Sequence, residues 1–254
     1  MAELLVVRFG PLRFGYEDPD EIGFHIDTEG IDGWDDGVDI RREDIPIQNG
    51  HGNVETPSFL AQRVVVVPGY CLAESDGALD NAQRRLLGQM GRPAQQFSVL
   101  TESGTENASG SIASKPRWKK WGGSAYAEYE ASFWFAKPWK YGEPRTFDSV
   151  AGVVKAWHRG NQNAIPTFEV TGSAAGYTLN GPDSKQFTVD HPVVAGHNHI
   201  INGLTGRLTI DGAPAGGVTR RDLWPIVNDD TTTQSITPVS GALTFKVHVK
   251  DTSA

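Results

Sequence analysis

At 254 residues the chain is long enough for one large or two ordinary β-rich domains, each able to bury its own core. Its 29 glycines and 15 prolines favour many short strands joined by tight turns. The single cysteine, Cys71, excludes an intrachain disulfide and a cysteine-based zinc site, and no leader pattern or apolar run of about 18 residues marks secretion or membrane spanning. The net charge of −8 is unevenly placed: residues 1–150 carry 23 acidic against 15 basic side chains, and residues 151–254 carry 8 of each. That shift supports a domain boundary near residue 150.

Residues 4–9 read as a first strand and 22–26 as a second, with Gly10, Pro11 and Gly15 supplying turn chemistry between them. Twelve carboxylates crowd the segment from Glu17 to Asp44. Within it Asp32, Asp36, Gly37 and Glu43 fall at the first, fifth, sixth and twelfth places of an EF-hand loop. Trp34 stands where the third ligand belongs and Asp39 takes the usual apolar place, so we read a solvated acidic loop leading into a strand at 38–42.

The stretch 45–70 organises the rest. Its glycine-punctuated turn, Asn49, Gly50, His51 and Gly52, leads to the β-branched run 64–67. A run so short, stopped by Pro68 and Gly69, predicts a strand buried on both faces. Arg63 sits at its mouth and, beside the turn Asn49 to Gly52, is the candidate for the rim of a barrel. After it Ser75 or Asp76 can cap a helix whose apolar residues Leu79, Ala82, Leu86, Leu87 and Met90 recur at helical spacing. Asp80 lies near its positive end, Gly91 just past its close and Pro93 two beyond. Strands are expected at 96–101, 111–118 and 125–135. Along the last, Ala127, Tyr129, Ala131, Phe133 and Phe135 share the buried face, and Glu128, Glu130, Ser132 and Trp134 the other. The cluster Lys115, Arg117, Trp118, Lys119, Lys120 and Trp121 could grip single-stranded nucleic acid by charge and stacking. The acidic balance of the region opposes that, and a strand end at a subunit contact explains it as well.

From residue 148 the texture changes to short strands at regular spacing: 150–157, 167–171, 177–180, 185–190, 199–202, 207–211, 218–222, 234–237 and 243–249. Such spacing predicts a β-sandwich of about one hundred residues. The stretch 207–211, then GAPAGG, then 218–221 reads as a hairpin.

His197 and His199, two apart, would share one face of a strand and could bind zinc or copper, but no third ligand is indicated by spacing. No G-x-S-x-G turn or phosphate-binding loop is present. The carboxylate pairs Asp35 with Asp36 and Glu43 with Asp44 would point to opposite faces of a strand, which is poor geometry for a glycosidase. We assign no catalytic, cofactor-binding or metal-binding residue, expect no cofactor, and read the chain as no enzyme.

The order of parts resembles a distal tail protein of long-tailed bacteriophages. The resemblance rests on the acidic, Gly-rich first segment, the RREDIPIQNGHG turn, the Arg-led valine strand, one amphipathic helix, and then GNQNAIPTFEVTG followed by RLTIDGAPAGGV. It covers nearly the whole chain. It implies a mainly β fold: a split β-barrel at 1–147, akin to tail-tube subunits and carrying one helix, and a galectin-like β-sandwich at 148–254. It also implies a structural protein of the virion, a homohexameric ring joining the tail tube protein to the tail-tip proteins and their receptor-binding apparatus. DNA would pass through the ring without specific binding, and no membrane insertion is implied. The sugar-binding H-x-N-x-R pattern of galectins is not matched. Its nearest stretch, from His197 to Ile201, has His199 in place of the Asn and Ile201 in place of the Arg.

The alternative is a carbohydrate-binding module in which Trp157, His158 or Trp224 stacks on sugar rings. For the ring reading, the acidic excess suggests a channel lined by carboxylates from the segment 17–44 or by Glu128 and Glu130, since an acidic lining repels DNA.

Overall fold

A computed structural model describes residues 5–16, 18–122, 124–228 and 230–254. Its compact units divide between Lys140 and Tyr141. The chain is mainly β with one helix.

The first unit contains β1 (Val6–Phe9), β2 (Leu12–Phe14), β3 (Gly23–Ile26), β4 (Ile40–Arg41), β5 (Ile45–Pro46), β6 (Asn53–Val54), β7 (Phe59–Leu60) and β8 (Arg63–Leu72). The helix α1 (Asp76–Leu87), β9 (Gln95–Thr101), β10 (Gly104–Ile112), β11 (Arg117–Lys120) and β12 (Tyr126–Phe135) follow. Seven of these strands close a barrel in the order β12-β8-β3-β2-β1-β9-β10, with β10 returning to β12 at Ser111↔Trp134 and Ile112↔Phe133. Closure leaves these strands no long open edge, and every inward side chain meets another. Phe133 packs on Phe9 at 4.8 Å and on Phe97 at 4.9 Å between ring centroids, and Trp34 lies 5.3 Å from Phe97. The expected inward face of β12 is the buried one: Ala127, Tyr129, Ala131, Phe133 and Phe135 all belong to the barrel core.

The expected helix forms. Ser75 caps α1, its Oγ accepting from the Ala78 amide, and Leu79 and Leu86 face the core. It ends at Leu87, before the exposed Met90, where the Gln89 and Met90 amides turn to the Leu86 and Leu87 carbonyls three residues back and tighten the last turn.

Three strand expectations are corrected. The valine strand runs through Pro68 and Gly69 to Leu72 instead of stopping at them. Pro68 lies where β3 has ended, and its carbonyl takes the Asp27 amide, so no ladder bond needs the N–H that proline lacks. At Gly69 a Cβ would collide with the His25 carbonyl, so only glycine lets β3 and β8 lie this close. The strand is also not buried on both faces: Arg63, Val65, Val67 and Cys71 face the core, while Val64 is exposed. Second, the expected strand 111–118 is two elements, β10 and β11, separated around Pro116. Third, the expected strand 4–9 is β1 from Val6, with Leu4 outside the described residues, and it continues into an unforeseen hairpin, β1–β2, turned by Gly10 and Pro11 with Gly10 at φ 53°.

The second unit begins within β13 (Lys140–Asp148), at Tyr141. It continues with β14 (Val153–Ala156), β15 (Thr167–Ser173), β16 (Tyr177–Asn180), β17 (Gln186–Val189), β18 (His199–Asn202) and β19 (Leu208–Ile210). It ends with β20 (Ala213–Ala215), β21 (Val218–Arg221), β22 (Thr232–Pro238) and β23 (Ala242–Ser253). One sheet follows the order β13-β23-β15-β18-β19-β20 and the other β14-β22-β16-β17-β21. Their facing sides share one core, in which Phe168 and Phe245 meet Tyr177, Phe187 and Trp224. The expected hairpin across GAPAGG is corrected here. Asp211 and Gly212, both at positive φ, make a two-residue turn that pairs β19 with β20, whereas β21 pairs with β17 in the opposite sheet. Gly216 and Gly217 therefore carry the chain from one sheet to the other.

Candidate assembly surface

Residues 39–61 leave the barrel as an arm. Two short ladders hold it: Ile40↔Leu60 with Arg41↔Phe59 near the foot, and Ile45↔Val54 with Pro46↔Asn53 nearer the tip. Asn49 at φ 60° and Gly52 at φ 87° shape the tip, where the Ile47 amide donates to the Gly52 carbonyl. Thr56 Oγ1 reaches across to the Glu43 carbonyl at 2.6 Å. No arm residue belongs to the barrel core, and the apolar side chains face water: Ile40 is 67% exposed and Phe59 60%, with Ile45, Ile47 and Val54 about half so. A two-stranded ribbon with so much apolar surface is marginal alone, and such a patch marks a docking surface.

The arm's foot is anchored by Arg63, which is 2% exposed. Its Nη1 donates to the carbonyls of Gly33, Trp34 and Asp36 at 2.6, 2.8 and 3.0 Å, and its Nε to the Pro138 carbonyl. Burial pulls the guanidinium's pKa below its ordinary value, while Glu106, Asp35 and Asp36 push it back. Glu106 also accepts from the Trp34 indole at 3.0 Å and pairs with Lys140 at 2.9 Å. Arg63 thus holds the loop entering the arm against the strand leaving it. The expectation that it lies beside the turn 49–52 is corrected, because its hydrogen bonds all go to the arm's foot and to Pro138.

The other candidate residues do not come together. Trp34 is buried in the barrel, Asp35 reaches Lys140, and Asp36 accepts from the Gly33 amide, so the calcium spacing gathers no ligand set. Among the described residues no group of three or more His, Cys, Asp or Glu is placed to hold a metal. His197 and His199 do not share a face: His197 precedes β18 and pairs with the Asp211 carboxylate, whereas His199 points into the core beside Tyr177. In the basic cluster, Lys119 pairs with Glu128 and lies over Trp121, Lys120 pairs with Asp80 at 2.6 Å, and Trp118 packs edge-on to Phe24. Those contacts engage Lys119, Lys120 and Trp118 within the chain itself, while Trp121 stays 48% exposed. Of the carboxylates expected to line a channel, Glu130 is exposed and Glu128 carries its Lys119 partner; Glu17 lies outside the described residues. The stacking residues of the sugar-binding alternative are largely withdrawn. Trp224 is 1% exposed and donates to Gln234, His158 is buried and accepts from the Gly160 amide, and Trp157, 39% exposed, carries Arg145 over its ring at 4.6 Å.

No family model matches the chain, and no curated protein matches its sequence. Among solved structures it is similar over nearly its whole length to the Dit (gp 19.1) protein of phage SPP1. The TM-score is 0.76 at 14% identity, covering 98% of this chain and 99% of that one. It shares the Dit fold. That protein is described as a paradigm of the hub adsorption apparatus in phages infecting Gram-positive hosts. A chain of the phage P2 baseplate, in its activated conformation with Ca, is similar at a TM-score of 0.50 and 9% identity, with 98% of each chain covered.

His199 gives the second unit a pH dependence. Burial, and then the neighbouring His191, lower its pKa below the ordinary imidazole value, against smaller opposing effects of a Pro192 hydrogen bond and Asp211. The unfolded chain therefore takes up a proton near pH ~6.5 that the folded chain resists, so stability is lost as pH falls through that value. The melting temperature of this unit is expected to drop between pH 7 and pH 5, and more steeply in the wild type than in His199→Gln. Equal slopes would remove His199 as the cause.

Proposed function

We propose that the chain is the distal tail protein of a long-tailed phage, a homohexameric ring that joins the tail tube to the tail tip and its adsorption proteins in the virion. The observation that carries this reading is the likeness to SPP1 Dit across both units, in a chain that shares little of its sequence. The exposed apolar arm supports the self-association, because a contact between a protrusion and a different surface of the next copy repeats from copy to copy and forms a ring when its rotation closes. The first unit is the ring-forming, tail-tube-like barrel, and the second a galectin-like sandwich that docks neighbouring tail proteins. Exposed carboxylates, with Glu130 on β12 among them, would line a channel that repels DNA and lets it pass.

Light scattering and single-particle imaging of the purified chain test this. Six-membered rings, or rings restored on adding the tail tube protein, are the expected result; a chain that stays monomeric in both settings defeats it. The two units are further proposed as two domains. We place the boundary between them near 140/141, where the compact units divide, with Phe147 on the side of the second core. A fragment 141–254 should melt cooperatively, as a domain with its own core does. A non-cooperative melt would make the units one folding body.

A further inference from the structure

Between α1 and the barrel lies a cleft of about 320 Å³, with Ala78 and Ala82 of the helix on one side, Ile22 on the other, and Phe24 and Cys71 buried beneath. Two cations stand over this apolar floor. Arg13 is held above the Tyr16 ring at 4.5 Å, and Arg85 on α1 reaches the Pro11 carbonyl at 3.5 Å. Among the described residues no side chain lining the cleft is acidic. The site therefore suits an occupant that presents an apolar side chain and a carboxylate together, because each arginine carries a charge near low-dielectric walls.

The arm has that chemistry. It carries Asp39, Glu43, Asp44 and Glu55 against Arg41 and Arg42, and Arg42 is already paired with Asp44 at 3.2 Å. Its apolar residues Ile45, Ile47 and Val54 flank those carboxylates near the tip. None of the arm lines the cleft of its own chain. We propose that the cleft beside α1 receives the arm of a second copy, with Ile45 or Val54 on its floor and Glu43 or Glu55 at Arg13 and Arg85. This rests on the self-association proposed above and names the surface through which it occurs. The fit is heterologous, protrusion into recess, which is the kind of contact that propagates from copy to copy.

The test uses the full chain and its mass distribution in solution. Arg13→Glu with Arg85→Glu should weaken association at least tenfold while leaving the thermal melt unchanged. Mixing that variant with a Glu43→Arg, Glu55→Arg chain should restore mixed assemblies. As a second measurement, independent of charge, Val54→Cys and Ala78→Cys chains mixed under mild oxidation should yield a disulfide-linked dimer containing one of each. Cys71 will not compete, since it is fully buried and burial pushes its thiol up to about 11. Wild-type assembly with the arginine variant assembling equally well and no crosslink overturns the cleft and leaves the ring. A wild-type chain that never associates overturns both.

Discussion

Replacing Arg63 with methionine is expected to lower the stability of the first unit by about 3–5 kcal/mol, the usual cost of removing one partner from a buried, charged hydrogen-bonded group. The guanidinium donates to four backbone carbonyls, those of Gly33, Trp34, Asp36 and Pro138, and methionine can donate to none of them. Two opposing features bound the estimate. The Arg63 Nη2 has no protein partner, so the wild type already carries a desolvation cost, and methionine fills most of the arginine's volume. For a unit of this size the loss corresponds to a fall in melting temperature on the order of 10 °C. Arg63→Lys keeps the charge but loses the planar fork, and should fall between the two. The arm ought also to become more open to protease than the barrel, since its foot is what the arginine fixes. A methionine variant melting within about 1 kcal/mol of wild type would show that the loop 33–36 is held by the Trp34 packing alone.

Shortening the arm should have the opposite signature: no loss of fold and a large loss of association. Replacing residues 42–58 by Asn-Gly leaves β4 and β7 to close on a two-residue hairpin turn. The barrel core loses nothing, because no arm side chain belongs to it, so the melt should stay within about 1 kcal/mol of wild type. Removing Ile45, Ile47 and Val54 takes away the apolar anchors through which such contacts gain most of their energy. A loss of about 100-fold in association constant, some 2.7 kcal/mol, is the modest end of what several anchors supply. Sedimentation of the shortened chain measures it. Assembly equal to that of the full chain would place the subunit contact elsewhere. A shortened chain that fails to fold would show that the arm is part of the barrel's own packing.

The contrast between these two variants separates holding the arm from using it. Arg63→Met should disturb both stability and assembly, since a loosened foot presents the arm in many orientations and ordering it again costs entropy on association. The shortened chain should disturb assembly alone.

Much of the fold was legible in the sequence wherever a local rule met no competitor. The alternation from Ala127 to Phe135, the Ser75 cap and the leucines at 79 and 86 each specify their element through nearest-neighbour geometry, and each formed. The strands 177–180 and 199–202 fell on their expected bounds because turn residues flank both. Local rules failed where a distant partner changed what a residue had to do. Pro68 and Gly69 signal a stop, but in the barrel the proline meets no waiting acceptor and the glycine is where the His25 backbone needs room, so the strand continues. The spacing of His197 and His199 implies one face only if both lie in the same strand, and β18 begins at the second. The burial of Trp224 and the position of Arg145 over Trp157 were likewise invisible to composition, since both follow from how the chain packs rather than from which residues it contains. The sequence by itself determined a β-rich chain with one capped helix, a core-facing alternation and an acidic first part, because propensity, period and charge are properties of neighbouring residues. Which strands close the barrel, which sheet β21 joins, and that residues 39–61 stand away from every core were decided only by the tertiary structure, where pairing between segments tens of residues apart fixes which surfaces remain uncovered.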